Sequence, residues 1–294
     1  MKQAYRRIIF TLLVFWAGYE AHNNKLFPIN QFLNQNIFTK VKDISGLHKR
    51  VDVSAVTREK LVGVFTNISK KKEITCPSAD NSLVVIGFGQ SNSANHAGHR
   101  FASLTPNIVN FFNGKCYQAA DPMLGSTGRS GSPWIPLAKQ LASSHNSVVV
   151  ATFGIGGTKV EEWLDPESLL PFYSKNIASL QKVYPNPDIA IWIQGESDKG
   201  TEIFKFRTNL ETWFNIIRYD LPDTDLYISG TSYCNGSSNT SNVSAQRQIS
   251  EKVGATFVGS TDDLINVNYR YDDCHFSEQG VRALVEILSG SITK

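Results

Sequence analysis

Four short clusters in this chain carry residue types that do acyl-transfer chemistry. Gly87-Phe88-Gly89-Gln90-Ser91-Asn92-Ser93 sets a serine in a glycine-rich turn. Gly154-Ile155-Gly156-Gly157-Thr158 is a second turn whose backbone N–H groups can approach a ligand closely. Trp192-Ile193-Gln194-Gly195-Glu196-Ser197-Asp198 offers an amide and carboxylates. Asp272-Asp273-Cys274-His275 places acids beside an imidazole. Any one of these is what an ordinary turn or helix cap looks like. Together they hold a hydroxyl nucleophile, a base, an acid to orient it, and donors for an oxyanion.

These clusters become a site only if the fold brings them to one place. Five runs rich in β-branched and apolar residues, 82–88, 147–153, 188–193, 225–229 and 255–259, read as buried strands. Helical segments are predicted at 136–144, 169–184, 204–219, 243–253 and 278–288. Strands that alternate with helices form a parallel sheet covered on both faces. Right-handed crossovers make that a three-layer α/β/α sandwich, here with a five-stranded parallel sheet. Ligands of such sheets bind beyond the carboxyl ends of the strands. Three of the clusters directly follow a strand, and the fourth lies between the last strand and the last helix.

The four blocks resemble the SGNH hydrolase superfamily, in particular its sialate O-acetylesterase and acetylxylan esterase branch. Gly89-Gln90-Ser91-Asn92 resembles the first block of that branch. Gly156-Gly157-Thr158, with Trp163 following, resembles the second. Trp192-Ile193-Gln194-Gly195-Glu196-Ser197-Asp198 resembles the third and is the most specific; Gln194 stands where most of the superfamily has asparagine. Asp272-x-x-His275 resembles the last. The glycine-rich stretch 121–134 resembles a loop of the same branch. The likeness covers roughly residues 80–290 and implies a flavodoxin-like SGNH hydrolase fold.

The resemblance implies a metal-independent serine esterase, with no cofactor, that removes O-acetyl groups from a carbohydrate. Ser91 is the expected nucleophile and His275 its base. The spacing in that branch selects Asp272 as the acid, with the adjacent Asp273 as the alternative. Expected oxyanion donors are the N–H of Ser91, that of Gly156 and the side-chain amide of Gln194; Gly157 replaces Gly156 if the turn is rotated by one residue. Gln90, Asn92, Gly157, Glu196 and Trp163 are candidate substrate contacts. His96 and His99 read as pocket lining or as surface, Trp134 as sugar platform or core. Ser197 is a rival nucleophile, and Glu196 with Asp198 a rival carboxylate pair. No GxSxG elbow occurs. The alternatives are another short-chain esterase or thioesterase on the same fold, or an inactive carbohydrate-binding protein.

The 294 residues carry a formal charge of +3, and Lys2, Arg6 and Arg7 cluster at the start. Nothing in that balance calls for nucleic acid as partner. The apolar run 8–19 behind those charges reads as an export signal, or as an uncleaved anchor, over residues 1–21. Residues 22–78 read as an extension and 79–294 as the esterase domain. The four cysteines, Cys76, Cys116, Cys234 and Cys274, include no CxxC pair, so a zinc site is not expected. Export permits disulfides, and the inferred topology favours Cys234 with Cys274, which would pin the loop bearing His275.

Overall fold

The computed structural model describes residues 60–292. The expected signal or anchor over 1–21, the apolar run 8–19 and residues 22–59 of the extension lie outside the described residues. Among the described residues, no helix is long and apolar enough to cross a membrane.

The elements in chain order are β1 (Glu73–Ile74), β2 (Ser82–Gly89), β3 (Ile108–Phe112), β4 (Lys115–Gln118), α1 (Trp134–Leu141), β5 (Ser147–Thr152), α2 (Val160–Trp163) and α3 (Leu169–Gln181). They continue as β6 (Ile189–Ile193), α4 (Ile203–Asp220), β7 (Asp225–Gly230), α5 (Thr240–Lys252), β8 (Thr256–Ser260) and α6 (Glu278–Ile292). The strands form one sheet in the order β1-β4-β3-β5-β2-β6-β7-β8. From β3 to β8 every pairing is parallel. The α/β/α reading therefore holds, and the five expected strands are β2, β5, β6, β7 and β8. The sheet has eight strands rather than five.

The three additional strands form one edge. β3 and β4 make an antiparallel hairpin, and β1 pairs antiparallel with β4. The hairpin turns on Asn113-Gly114, both at positive φ (49° and 79°), the chemistry a tight two-residue turn requires. A buried asparagine, Asn110, interrupts the apolar run of β3; its side chain accepts from Leu124 N at 2.7 Å. Residues 72–76 lie along this edge: Gln118 N donates to Lys72 O, and Cys76 bonds to Cys116 on β4.

Alternation along β2 sorts the core into two layers. Val84, Ile86 and Phe88 face one cluster, with side chains from α3, α4 and α5. Leu83 and Val85 face the other, with α1 and α6. Both faces are apolar, which is why these strands read as continuous hydrophobic runs. On α4 the buried positions Phe206, Leu210, Trp213, Phe214 and Ile217 fall on one stripe, and Glu202 caps its start by accepting from Phe204 N and Lys205 N at 2.9 Å. Strand order reverses at β2, with β5 on one side and β6 on the other. The crevice beyond the carboxyl ends of these strands is where a doubly wound sheet binds its ligand.

Candidate active site

Ser91 follows β2 on a turn that only glycine lets the chain enter. Gly89 has φ +127°, and a Cβ there would stand 2.2 Å from the carbonyl oxygen of Ile193. With no side chain in the way, Gln90 N donates to that oxygen at 3.2 Å. The turn then closes on itself: Ser93 N reaches Gln90 O and Ala94 N reaches Ser91 O, both at 2.9 Å. Trp134 Nε1 donates to Ser93 O at 2.6 Å, and its ring fills the space a side chain at Gly87 would need. Gln90 Oε1 accepts from Ser197 N at 3.0 Å and ties this turn to the loop after β6.

The imidazole sits on the loop before α6. Asp272 Oδ2 lies 2.7 Å from His275 Nδ1, and its Oδ1 accepts from His275 N at 2.7 Å and Cys274 N at 3.1 Å. A carboxylate on Nδ1 keeps the proton there and leaves Nε2 free as a base. Burial works to raise the Asp272 pKa. The hydrogen bonds from the His275 ring and backbone, with that from Cys274 N, outweigh it and hold the carboxyl below its usual value. Asp273 turns the other way, at φ +64°, and accepts from Tyr233 OH. Cys274 is joined to Cys234 by a disulfide, and its carbonyl accepts from the buried Arg270.

One side chain locks these two pieces together. Asn92 Nδ2 donates to Glu196 Oε1 at 2.6 Å and to Cys274 O at 3.2 Å, and its Oδ1 accepts from Phe276 N at 3.3 Å. Asn92 thus holds the residues on both sides of His275 against the turn bearing Ser91. Thr231 Oγ1 donates to the same Glu196 oxygen at 3.0 Å.

Ser91, His275, Gln90, Gly156, Gly157 and Glu196 line one cleft of about 660 Å³. The structure does not bring the other expected contacts there. Gln194 is fully buried: its Nε2 donates to Asp198 Oδ2 at 3.2 Å and its Oε1 accepts from Trp163 Nε1 at 3.0 Å. One of its two amide hydrogens is engaged there, and Gln194 is not among the residues that line the cleft. Trp163 is equally buried and packs on Trp192 and Trp213, so it stacks on no sugar; Trp134 is core as well. Asn92 works as a tie, not as a cleft-lining contact. Gly156 N donates to Thr127 Oγ1 at 2.7 Å. No acceptor among the described residues meets the N–H of Ser91 or of Gly157. Of the two glycines that line the cleft from the second turn, Gly157 is thus the one whose N–H is left without a partner among the described residues.

The rival pair does not form either. Glu196 faces Asn92 and Thr231, whereas Asp198 accepts from Val160 N at 3.1 Å and from Gln194. The two leave the strand in a loop, where the two-residue alternation that would align them no longer applies. Several cleft residues carried no sequence signal of their own: Thr127, Lys60, Lys199 and Asn235 all line it. His96 lies in the cleft with its ring stacked on that of His275 at 5.4 Å. Burial first, then the neighbouring His275, lowers its pKa to about 4, against the opposing pull of Asp272, so it is neutral near pH 7. His99 instead stands at the surface beside Glu278.

Two expectations follow. Asn92→Ala leaves the N–H of Phe276 buried without its acceptor and frees the His275 loop. It should cost roughly 1–3 kcal/mol in urea unfolding, together with a fall in esterase turnover. Asn92→Asp sets carboxylate against carboxylate and should cost more. Burial raises the Asp198 pKa to about 7, against the opposing hydrogen bonds from Val160 and Gln194. An acid with a raised folded pKa holds a proton in the folded chain that the unfolded chain has lost, so its contribution is full below pH ~4 and fades as pH rises through about 7. The midpoint of thermal unfolding should therefore fall between pH 5 and 8 less steeply in Asp198→Asn than in the parent.

The same architecture occurs in solved structures. A protein from Arabidopsis thaliana aligns over 72% of this chain and 97% of its own, at 17% identity and a TM-score of 0.57. A chain from Parabacteroides merdae described as a GDSL-like lipase aligns over 72% and 96%, at 14% identity and a TM-score of 0.50. At such identities the likeness is one of fold. No curated protein matches the sequence. The sequence model of one family, described as carbohydrate esterase, sialic acid-specific acetylesterase, matches residues 81–294 and so takes in all four blocks at the sheet edge. The chain belongs to this carbohydrate esterase family.

Proposed function

We propose that the protein is an exported serine esterase that removes O-acetyl groups from a carbohydrate, with Ser91, His275 and Asp272 as its triad. One observation carries the reading: His275, held by Asp272 through Nδ1, shares a cleft with Ser91, and the N–H groups of Ser91 and Gly157 there meet no acceptor among the described residues.

Ser91 Oγ attacks the ester carbonyl as His275 Nε2 takes its proton. Asp272 stabilises the imidazolium that forms. The oxyanion of the tetrahedral intermediate accepts from Ser91 N–H and Gly157 N–H, which are in place beforehand and need no reorganisation. His275 returns the proton to the departing sugar hydroxyl, leaving acetyl on Ser91. A water, deprotonated by His275, then attacks the acetyl-Ser91 carbonyl; as the Ser91 Oγ–acyl bond breaks, His275 gives that proton to Oγ and acetate leaves. The acetyl preference rests on the family's own description. A hydroxylated alcohol suits a cleft lined by Gln90, Glu196 and Asn235. Export rests on the basic start and apolar run of the sequence and on two disulfides, Cys76–Cys116 and Cys234–Cys274, which persist in oxidising compartments.

In p-nitrophenyl acetate hydrolysis by the full chain, Ser91→Ala should fall to background, a loss on the order of 10⁴ or more. Asp272→Asn should lose up to about 10⁴ in kcat, because the imidazole loses the partner that fixes its tautomer. Asp273→Asn should retain most activity. Full activity in a folded Ser91→Ala protein would end the reading.

A further inference from the structure

The family match begins at residue 81, yet the wall of the cleft includes a residue well before it. Lys60 Nζ donates to Gly157 O at 2.9 Å and to both carboxylate oxygens of Glu162, at 2.8 and 3.1 Å. An ammonium has three hydrogens to give, and here three acceptors meet it. Glu162 is itself fixed: it is buried, and its Oε2 accepts from Lys159 N at 2.7 Å at the start of α2. Lys60 therefore joins a rigid carboxylate to the carbonyl of a cleft-lining residue whose N–H meets no acceptor among the described residues.

Gly157 has little else to hold it. Its φ is +68°, and a side chain built there would meet nothing within 4 Å. A glycine in open space has wide conformational freedom. The neighbouring peptide is anchored differently, by Gly156 N to Thr127 Oγ1. Thr127 in turn is gripped by the same N-terminal segment: Val64 bridges to Thr127, and Phe65 N donates to Ser126 O at 2.8 Å. Residues 60–65 thus secure the two peptides that flank the one bearing the Gly157 N–H: 157–158 directly through Lys60, and 155–156 through Thr127 in the loop beside it.

We propose that Lys60 is a positioning residue of the esterase: it fixes the Gly157 carbonyl and thereby aims the Gly157 N–H at the developing oxyanion. The inference rests on the reading of Gly157 as an oxyanion donor. Deleting such a donor outright typically costs about 10²–10³ in rate, and leaving it present but unfixed should cost part of that. Because the ammonium is fully engaged, its removal should act on the transition state and not on substrate affinity.

The test is Lys60→Met in the full chain, assayed on p-nitrophenyl acetate, whose lack of charge removes any direct attraction between ammonium and substrate. The expected result is a kcat lower by about tenfold or more, with KM within about twofold. Lys60→Cys should show the same loss, and alkylating its thiol with 2-bromoethylamine, which rebuilds an ammonium at similar reach, should restore most of the rate. Taking kcat per folded chain, with the folded fraction read from urea unfolding, separates positioning from a folding defect, which the alkylation would rescue as well. Unchanged kcat in a folded Lys60→Met protein, a loss expressed wholly in KM, or no rescue on alkylation would overturn the proposal. Ser91→Ala run alongside distinguishes the failures. If it is inactive while Lys60→Met is unaffected, only the role of Lys60 falls; if it is active, the esterase reading beneath it falls.

Discussion

The side-chain amide of Asn92 is the contact on which the rest of the site depends. The turn bearing Ser91 follows β2, and the loop bearing His275 lies more than 180 residues later in the chain. Sheet pairing fixes the first and leaves the second free, because no strand runs directly into that loop. Asn92 closes the gap with three hydrogen bonds, two of them to the residues flanking His275. Its third partner, Glu196, comes from the loop after β6, so one buried amide aligns three of the four blocks. Buried polar ties of this kind are costly to leave half made, and complete ones specify a single arrangement.

Around that tie, each piece is held from behind. Gly89 lets the turn bearing Ser91 lie against Ile193, and Trp134 braces it through Ser93 O. Arg270 and the Cys234–Cys274 bond hold the histidine loop at its base. Gln194, Asp198 and Trp163 form a buried network that joins the loop after β6 to the start of α2. On the proposed mechanism these supports preorganise the site, so that its oxyanion donors need not move when charge develops.

Much of this was legible in the sequence. Apolar strand runs alternating with helices gave the layered sheet, since burial on both faces leaves an unmistakable pattern at 82–88 and 188–193. The edge hairpin was missed because Asn110 breaks the run of β3, although Asn113-Gly114 marked its turn. Block spacing pointed to Ser91, Asp272 and His275, and the structure puts all three at the carboxyl edge of the sheet. It could not tell a side chain facing the cleft from one turned behind the wall. Gln194 and Trp163 share a hydrogen bond out of reach of solvent, and that depends on three-dimensional packing, not on position in a motif. The choice between Gly156 and Gly157 turned on one hydroxyl, that of Thr127, in a loop whose path no periodicity reveals. Lys60 was invisible for a similar reason, because a lone lysine in a polar segment carries no pattern.

The central claim is that Ser91 carries the acyl group between the two halves of the reaction. The most direct measurement mixes the full chain with an acetyl ester, quenches it in acid within the first turnover, and maps acetylated peptides by mass spectrometry. The account predicts acetyl on the side chain of Ser91 and none in a parallel sample of Ser91→Ala. Acetyl on Ser197 or another residue, with Ser91 unmodified during active turnover, would contradict it.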